Sequence, residues 1–185
     1  SQPTLATDET LHTTLTDLMA AQTVQNALIA ENLSQAEQFW RMREQISAAQ
    51  KAQGKNIKHD VSVPISAIAQ FIEQTDVALA QKYHGIQTVV FGHIGDGNVH
   101  FNVSAGTAFA NPDALMAHES VINQMVYEHV QVFNGSISAE HGIGLLKREL
   151  MNSIKSNVEL QTMRAIKHAL DPHNRMNPHK IFSDS

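Results

Sequence analysis

Two histidines seven residues apart, His93 and His100, flank a Gly-Asp-Gly centre in the string FGHIGDGNVHFNV. Short apolar runs on either side of that centre predict a hairpin of two antiparallel strands. With Asp96-Gly97 as a two-residue turn and Gly97 supplying the positive φ, His93 is expected opposite His100, Ile94 opposite Val99 and Gly95 opposite Asn98. Opposed residues share a face with Cβ atoms ~4.5–5.5 Å apart. Two imidazoles so placed can share one divalent ion, whose bonds to histidine nitrogen are about 2.0–2.1 Å for zinc. Asn102 follows His100 on that face by strand alternation. Further along, Glu140 and His141 open the string EHGIG. From residue physics alone, this string reads as well as a strand end and flexible turn as it does as a pair of reactive groups.

The elements that must carry these groups follow from periodicity. Ile57, His59, Val61 and Val63 alternate with Lys58, Asp60 and Ser62, which predicts a half-buried strand ended by Pro64. A helical stripe from Ile65 to about Tyr83 comes next, and the hairpin follows it. Asn111-Pro112-Asp113 opens a helix expected to end near Asn134-Gly135, and SISAE is expected as a final strand. Strand, helix, strand, strand, helix, strand is the ferredoxin-like order, so the fold expected is α+β, an antiparallel βαββαβ sheet with additional flanking helices. Lys58, Asp60, Asn102, Ser136, Ser138 and Glu140 then share the sheet face without helices. Lys58, the hairpin tip and Glu140 are expected to meet at one edge.

Outside this core, one helix or two short ones are expected from about Leu11 to Ala30. Another should open at a Ser34/Glu37 capping box and run through Phe39, Trp40, Met42 and Ile46 to near Gly54. LLKRELM and about 157–170 read as helices, and DPHNRMNPHKIF as an irregular tail. The expected divisions are a helical segment at 1–56, the ferredoxin-like core at 57–141 and C-terminal helices and tail at 142–185.

The 185 residues are 42% hydrophobic, enough for a real core. A formal charge of -5 with scattered lysines and arginines argues against a nucleic-acid partner. With no cysteine, a metal must be held by histidine and carboxylate. No apolar run approaches the ~20 residues that cross a bilayer, and the polar start is unlike a signal peptide, so the expected location is cytoplasmic. Of the 11 histidines, His12, His59, His84, His118, His129, His168, His173 and His179 are read as structural or surface residues.

The strings FGHIGDGNVHFNV and SAEHGIG, with FWRMREQIS, IKHDVSVP and the closing LDPHNRMNPHKIF, resemble the C-terminal domain of the FAD-linked oxidase family. That family includes D-2-hydroxyglutarate dehydrogenase, D-lactate dehydrogenases and the glycolate oxidase flavoprotein subunit. The resemblance covers the chain from about Phe39 onward. It implies an FAD-dependent 2-hydroxy-acid dehydrogenase whose FAD is held mainly by an N-terminal domain not present in this sequence. It also implies metal ligands at His93, His100 and Glu140, with zinc or manganese as the ion, and a general base at His141. Arg43 and Lys58 are implied to hold a substrate carboxylate, and Asn102 to hydrogen-bond the substrate. The sequence departs from the family pattern at Ser47, where a threonine is common, and at His179, where Gly or Tyr is expected.

That chemistry suits the residue types. A bound divalent ion makes a hydroxyl far easier to deprotonate, and an imidazole titrates near neutrality, as a base for that proton should. Arg43 can grip a carboxylate with two parallel bonds, and Ser47 is expected one helical turn further on the same face. The GDGN tip lacks a following helix, so it is not read as a dinucleotide loop. The partners expected are a small 2-hydroxy acid, the N-terminal FAD domain and an electron acceptor that the sequence does not identify. Two other readings use the same ligands: a metal-dependent hydrolase activating water, and a non-enzymatic ferredoxin-like module binding a metal or an organic acid.

Overall fold

The computed structural model describes residues 5–182, with side chains from residue 8 onward. The chain divides into two compact units, one up to Ala52 and one from Gln53.

The first unit is helical. Helix α1 spans Leu5–Ala20, α2 Leu33–Glu44 and α3 Ile46–Ala52. The helical stretch expected from Leu11 to Ala30 therefore starts earlier and stops ten residues sooner. The chain turns back there: Gln22 adopts a left-handed φ of 57°, and the N–H groups of Thr23 and Val24 both return to the Leu18 carbonyl. The next helix is capped by Asn32, whose side chain accepts from the Gln35 N–H, rather than by the expected Ser34/Glu37 pair. It is also interrupted, since Gln45 caps α2 before α3 begins.

The second unit contains a three-stranded antiparallel sheet in the order β1-β3-β2, with β1 at Ile57–Ser62, β2 at Gln87–His93 and β3 at Asn98–Ser104. A single 3-10 turn at Ile65–Ala67 leads into α4, Ile68–Lys82. The helix expected after Asn111 is two: α5, Pro112–Met116, capped by the Asn111 side chain, and α6, Glu119–Val132. Helices α7, Arg148–Ile154, and α8, Asn157–Leu170, follow, and α8 is opened by a reciprocal Ser156/Glu159 capping box.

Strand alternation divides the sheet. Ile57, His59 and Val61 pair with Val103, Phe101 and Val99, and this face is covered by α4 and α6. Phe71 and Leu79 of α4, two turns apart, and Ile122, Val126 and Val130 of α6, four residues apart, are fully buried against it as one helix face requires. Each such side chain contributes ~1.5–3 kcal/mol through burial. A smaller cluster of Met151, Leu160 and Phe182 fixes the tail. Within the tail, Asp171 accepts from the N–H groups of Arg175 and Met176 and from the Lys167 ammonium.

The fourth strand expected at SISAE is not formed. Residue 136 makes one isolated antiparallel bridge to Ser62, and 137–141 are irregular. The fold is α+β. Among the described residues, no helix is long and apolar enough to cross a membrane.

Candidate functional site

The sheet face opposite α4 and α6 carries three rows of side chains, polar except for Phe91 and Val89. Ser62 pairs with Asn98, which pairs with His93; Asp60 pairs with His100, which pairs with Phe91; Lys58 pairs with Asn102, which pairs with Val89. The hairpin turn is four residues long, 94–97, rather than two, so His93 faces Asn98 and not His100. The turn is closed by the Asp96 carboxylate, which accepts from the Asn98 N–H at 2.9 Å. Because the slip is two residues, His93 and His100 remain on one face as diagonal neighbours.

The loop after Ser136 brings Glu140 over these rows. Its Oε1 lies 3.6 Å from His93 Nδ1 and 4.0 Å from His100 Nε2. Asn98 Nδ2 donates a close hydrogen bond to the same oxygen. Asn98 is buried, and its own Oδ1 has no hydrogen-bond partner. Among the described residues, no three His, Asp or Glu side chains are drawn together tightly enough to hold a metal ion as they stand. His141 is 71% exposed and stacks on His100 with ring centroids 6.2 Å apart. The His100 ring also contacts Phe91, with centroids 5.1 Å apart.

Asp60, which the sequence reading placed on this face without a role, is the buried centre of the site. Its Oδ2 accepts from the backbone N–H groups of Ala139, Glu140 and His141 at 3.2, 3.0 and 2.9 Å, and from the Ser138 hydroxyl at 3.3 Å. Burial pushes the Asp60 carboxyl up, but the His141 and Glu140 N–H donors, with His141 and Lys147 nearby, outweigh it and hold the group below its ordinary value. Lys147 clamps the same loop from below, its ammonium donating to the Ile137 carbonyl at 2.6 Å and the Asp60 carbonyl at 3.3 Å. Neither Lys147 nor Asn98 was singled out by the sequence reading. Asp60 alone had left a visible signal, its position two residues from Lys58 on the polar side of a strand.

Lys58 does not meet the hairpin tip. Strand β3 leaves the tip at Asn98, which pairs with the end of β1 at Ser62, whereas Lys58 stands four residues away at the strand's start. There it is exposed and lines a cavity of about 850 Å³ with Asn123 and Tyr127 of α6 and Lys147. Asn102 is buried beside it in the row. In the first unit, Arg43 is half-buried in the last turn of α2, and Ser47 is exposed in the first turn of α3. The break at Gln45 divides the continuous helix that was expected to carry both.

The sequence pattern of the family described as FAD linked oxidases, C-terminal domain, matches residues 2–181. A D-2-hydroxyglutarate dehydrogenase of Xanthomonas citri pv. viticola is 44% identical over 159 residues, covering 86% of this chain and 33% of that protein. One of Stutzerimonas stutzeri is 36% identical over 160 residues, covering 86% of this chain and 34% of the relative. A mitochondrial D-2-hydroxyglutarate dehydrogenase of Danio rerio is 32% identical over 178 residues, covering 96% and 32%. The chain spans about a third of the length of these relatives.

Proposed function

The chain belongs to the C-terminal domain family of the FAD linked oxidases, and from that premise we propose that it is the substrate and metal domain of an FAD-dependent 2-hydroxy-acid dehydrogenase of the D-2-hydroxyglutarate type. The observation that carries this reading is the approach of His93 Nδ1 and His100 Nε2 to one oxygen of Glu140 on the sheet face opposite α4 and α6. Donor atoms around a tetrahedral zinc ion stand ~3.4 Å apart, as bonds of that length require. The separation of 3.6 Å is close to that spacing and that of 4.0 Å is wider by about half an ångström, so binding requires the three side chains to draw together, and the donor set of two imidazoles and a carboxylate suits zinc or manganese. The single bridge between Ser62 and Ser136 supports a ferredoxin-like order in which residues 136–140 are a degenerate fourth strand.

His93, His100 and Glu140 would hold the ion. When bound, it would supply Lewis acidity toward the substrate hydroxyl, and FAD would supply the two-electron acceptor. His141, exposed beside His100 with Nδ1 3.7 Å from Asp60, accepts the hydroxyl proton at Nε2. Asn102 and Lys58, adjacent in one row, orient the substrate, and Arg43 with Ser47 binds a carboxylate. A carboxylate-bearing 2-hydroxy acid is the substrate class that these residue types suit. Water activation by the same ligands, as in a hydrolase, would leave Arg43 and Lys58 unused.

His141→Ala in the full-length protein separates base from ligand. The expected result is an unchanged metal content with turnover reduced on the order of 100-fold or more. Turnover at the wild-type rate would remove His141 from the mechanism.

A further inference from the structure

Asp60 is 5% exposed and uses only one of its two oxygens. Oδ2 is saturated by the four donors of the 138–141 loop, whereas Oδ1 is buried with no hydrogen-bond partner. Leaving a buried acceptor unmet is destabilising, the more so when it is charged. Two imidazoles face this carboxylate. His141 Nδ1, 3.7 Å away, faces the oxygen that is already saturated. His100 Nδ1, 3.9 Å away, faces the one that is free. The His100 side chain is 19% exposed and in ring contact with both Phe91 and His141, and its opposite nitrogen lies 4.0 Å from Glu140. A tilt of the ring by about an ångström brings Nδ1 within hydrogen-bond length of Oδ1.

We propose that Asp60 is a positioning residue: Oδ1 holds His100 in its Nδ1–H tautomer, leaving the Nε2 lone pair directed at the Glu140 side, while Oδ2 fixes the backbone of Glu140 and His141. A histidine ligand is oriented by the partner of its other nitrogen, and loss of that partner weakens metal binding 10- to 100-fold as a rough range. Because one carboxylate holds both a strand residue and the loop that faces it, the two halves of the site are set by a single group. The consequence for metal affinity rests on the function proposed above; the tautomer does not.

The test is nitrogen NMR of the full-length protein, isotopically labelled at histidine, above the pH at which the ring is protonated, together with a zinc titration. Wild type is expected to show His100 as Nδ1–H. Asp60→Asn, which keeps the size and a carbonyl acceptor for the loop, is expected to lose that preference and to bind zinc ~10- to 100-fold more weakly. A wild-type His100 protonated at Nε2, or an Nδ1–H form that persists unchanged in Asp60→Asn, would overturn the proposal. Should that variant fail to fold, the wild-type spectrum still decides. An Asp60-dependent tautomer in a protein that binds no zinc would uphold the positioning role and sink the metal reading.

Discussion

His59 and His100 occupy adjacent pairs of the same sheet on opposite faces, and their surroundings give them opposite uses. His59 points into the core, 1% exposed, with Nδ1 2.8 Å from the Phe101 carbonyl and Nε2 2.8 Å from the Asn123 side chain. Burial pushes it down from 6.5 to about 4 despite those contacts. The folded protein therefore keeps it neutral where the unfolded chain would bind a proton. Its contribution to stability is complete above pH 6.5 and is lost as the pH falls toward 4. The loss amounts to about 3 kcal/mol at the lower limit. Thermal melts of wild type and His59→Gln between those limits should converge as the pH falls; a constant difference would show that the ring is not held neutral. The place of His59 on the apolar side of a strand marks it in the sequence as structural, and it is buried. Asp60 was equally visible one residue on, but its importance lies in loop donors 78 to 81 residues away, which no local pattern reveals.

At the scale of elements, the hairpin was legible and its register was not. Gly97 does take a positive φ, 79°, yet as the last residue of a four-residue turn rather than the second of two. A Cβ there would lie 2.2 Å from the Val63 carbonyl oxygen. Gly97→Ala should therefore destabilise the fold by about 2 kcal/mol or more, from backbone strain plus collision. Gly95→Ala, in the same turn with open space around it, should change stability by less than about 0.5 kcal/mol. Equal denaturation midpoints for the two variants would refute this account of the turn. The missing fourth strand has a related cause. The N–H groups of Ala139, Glu140 and His141 go to one carboxylate, and the Ser136 hydroxyl bonds the Ser138 carbonyl, so the backbone has partners other than a ladder. Alternating serines in the sequence predict a strand face but carry no trace of that competition. The position of Lys58 was misjudged for a topological reason, since an antiparallel β1-β3 pair puts the hairpin tip beside the end of β1.

At the scale of the molecule, the sheet and its two covering helices form a self-sufficient core, while several large apolar side chains remain exposed. Phe39, Trp40 and Met42 on α2 are among them, as are Leu146, Val158 and Leu170 in the second unit. The strings that resemble the family were legible throughout, because each is local in sequence. The order of the first three strands and the helices between and after them followed from hydrophobic period together with turn and capping signals, whereas the final strand expected there did not form. The meeting of Glu140 with the hairpin followed from strand order, whereas the hydrogen bonds to Asp60 that hold the Glu140 loop there became apparent only in three dimensions.

The metal content of the full-length protein tests that meeting most directly. Elemental analysis should find one zinc or manganese per chain, lost together with activity on chelation and absent from His93→Ala, His100→Ala and Glu140→Gln. A metal-free protein that is active and indifferent to chelators would contradict the account.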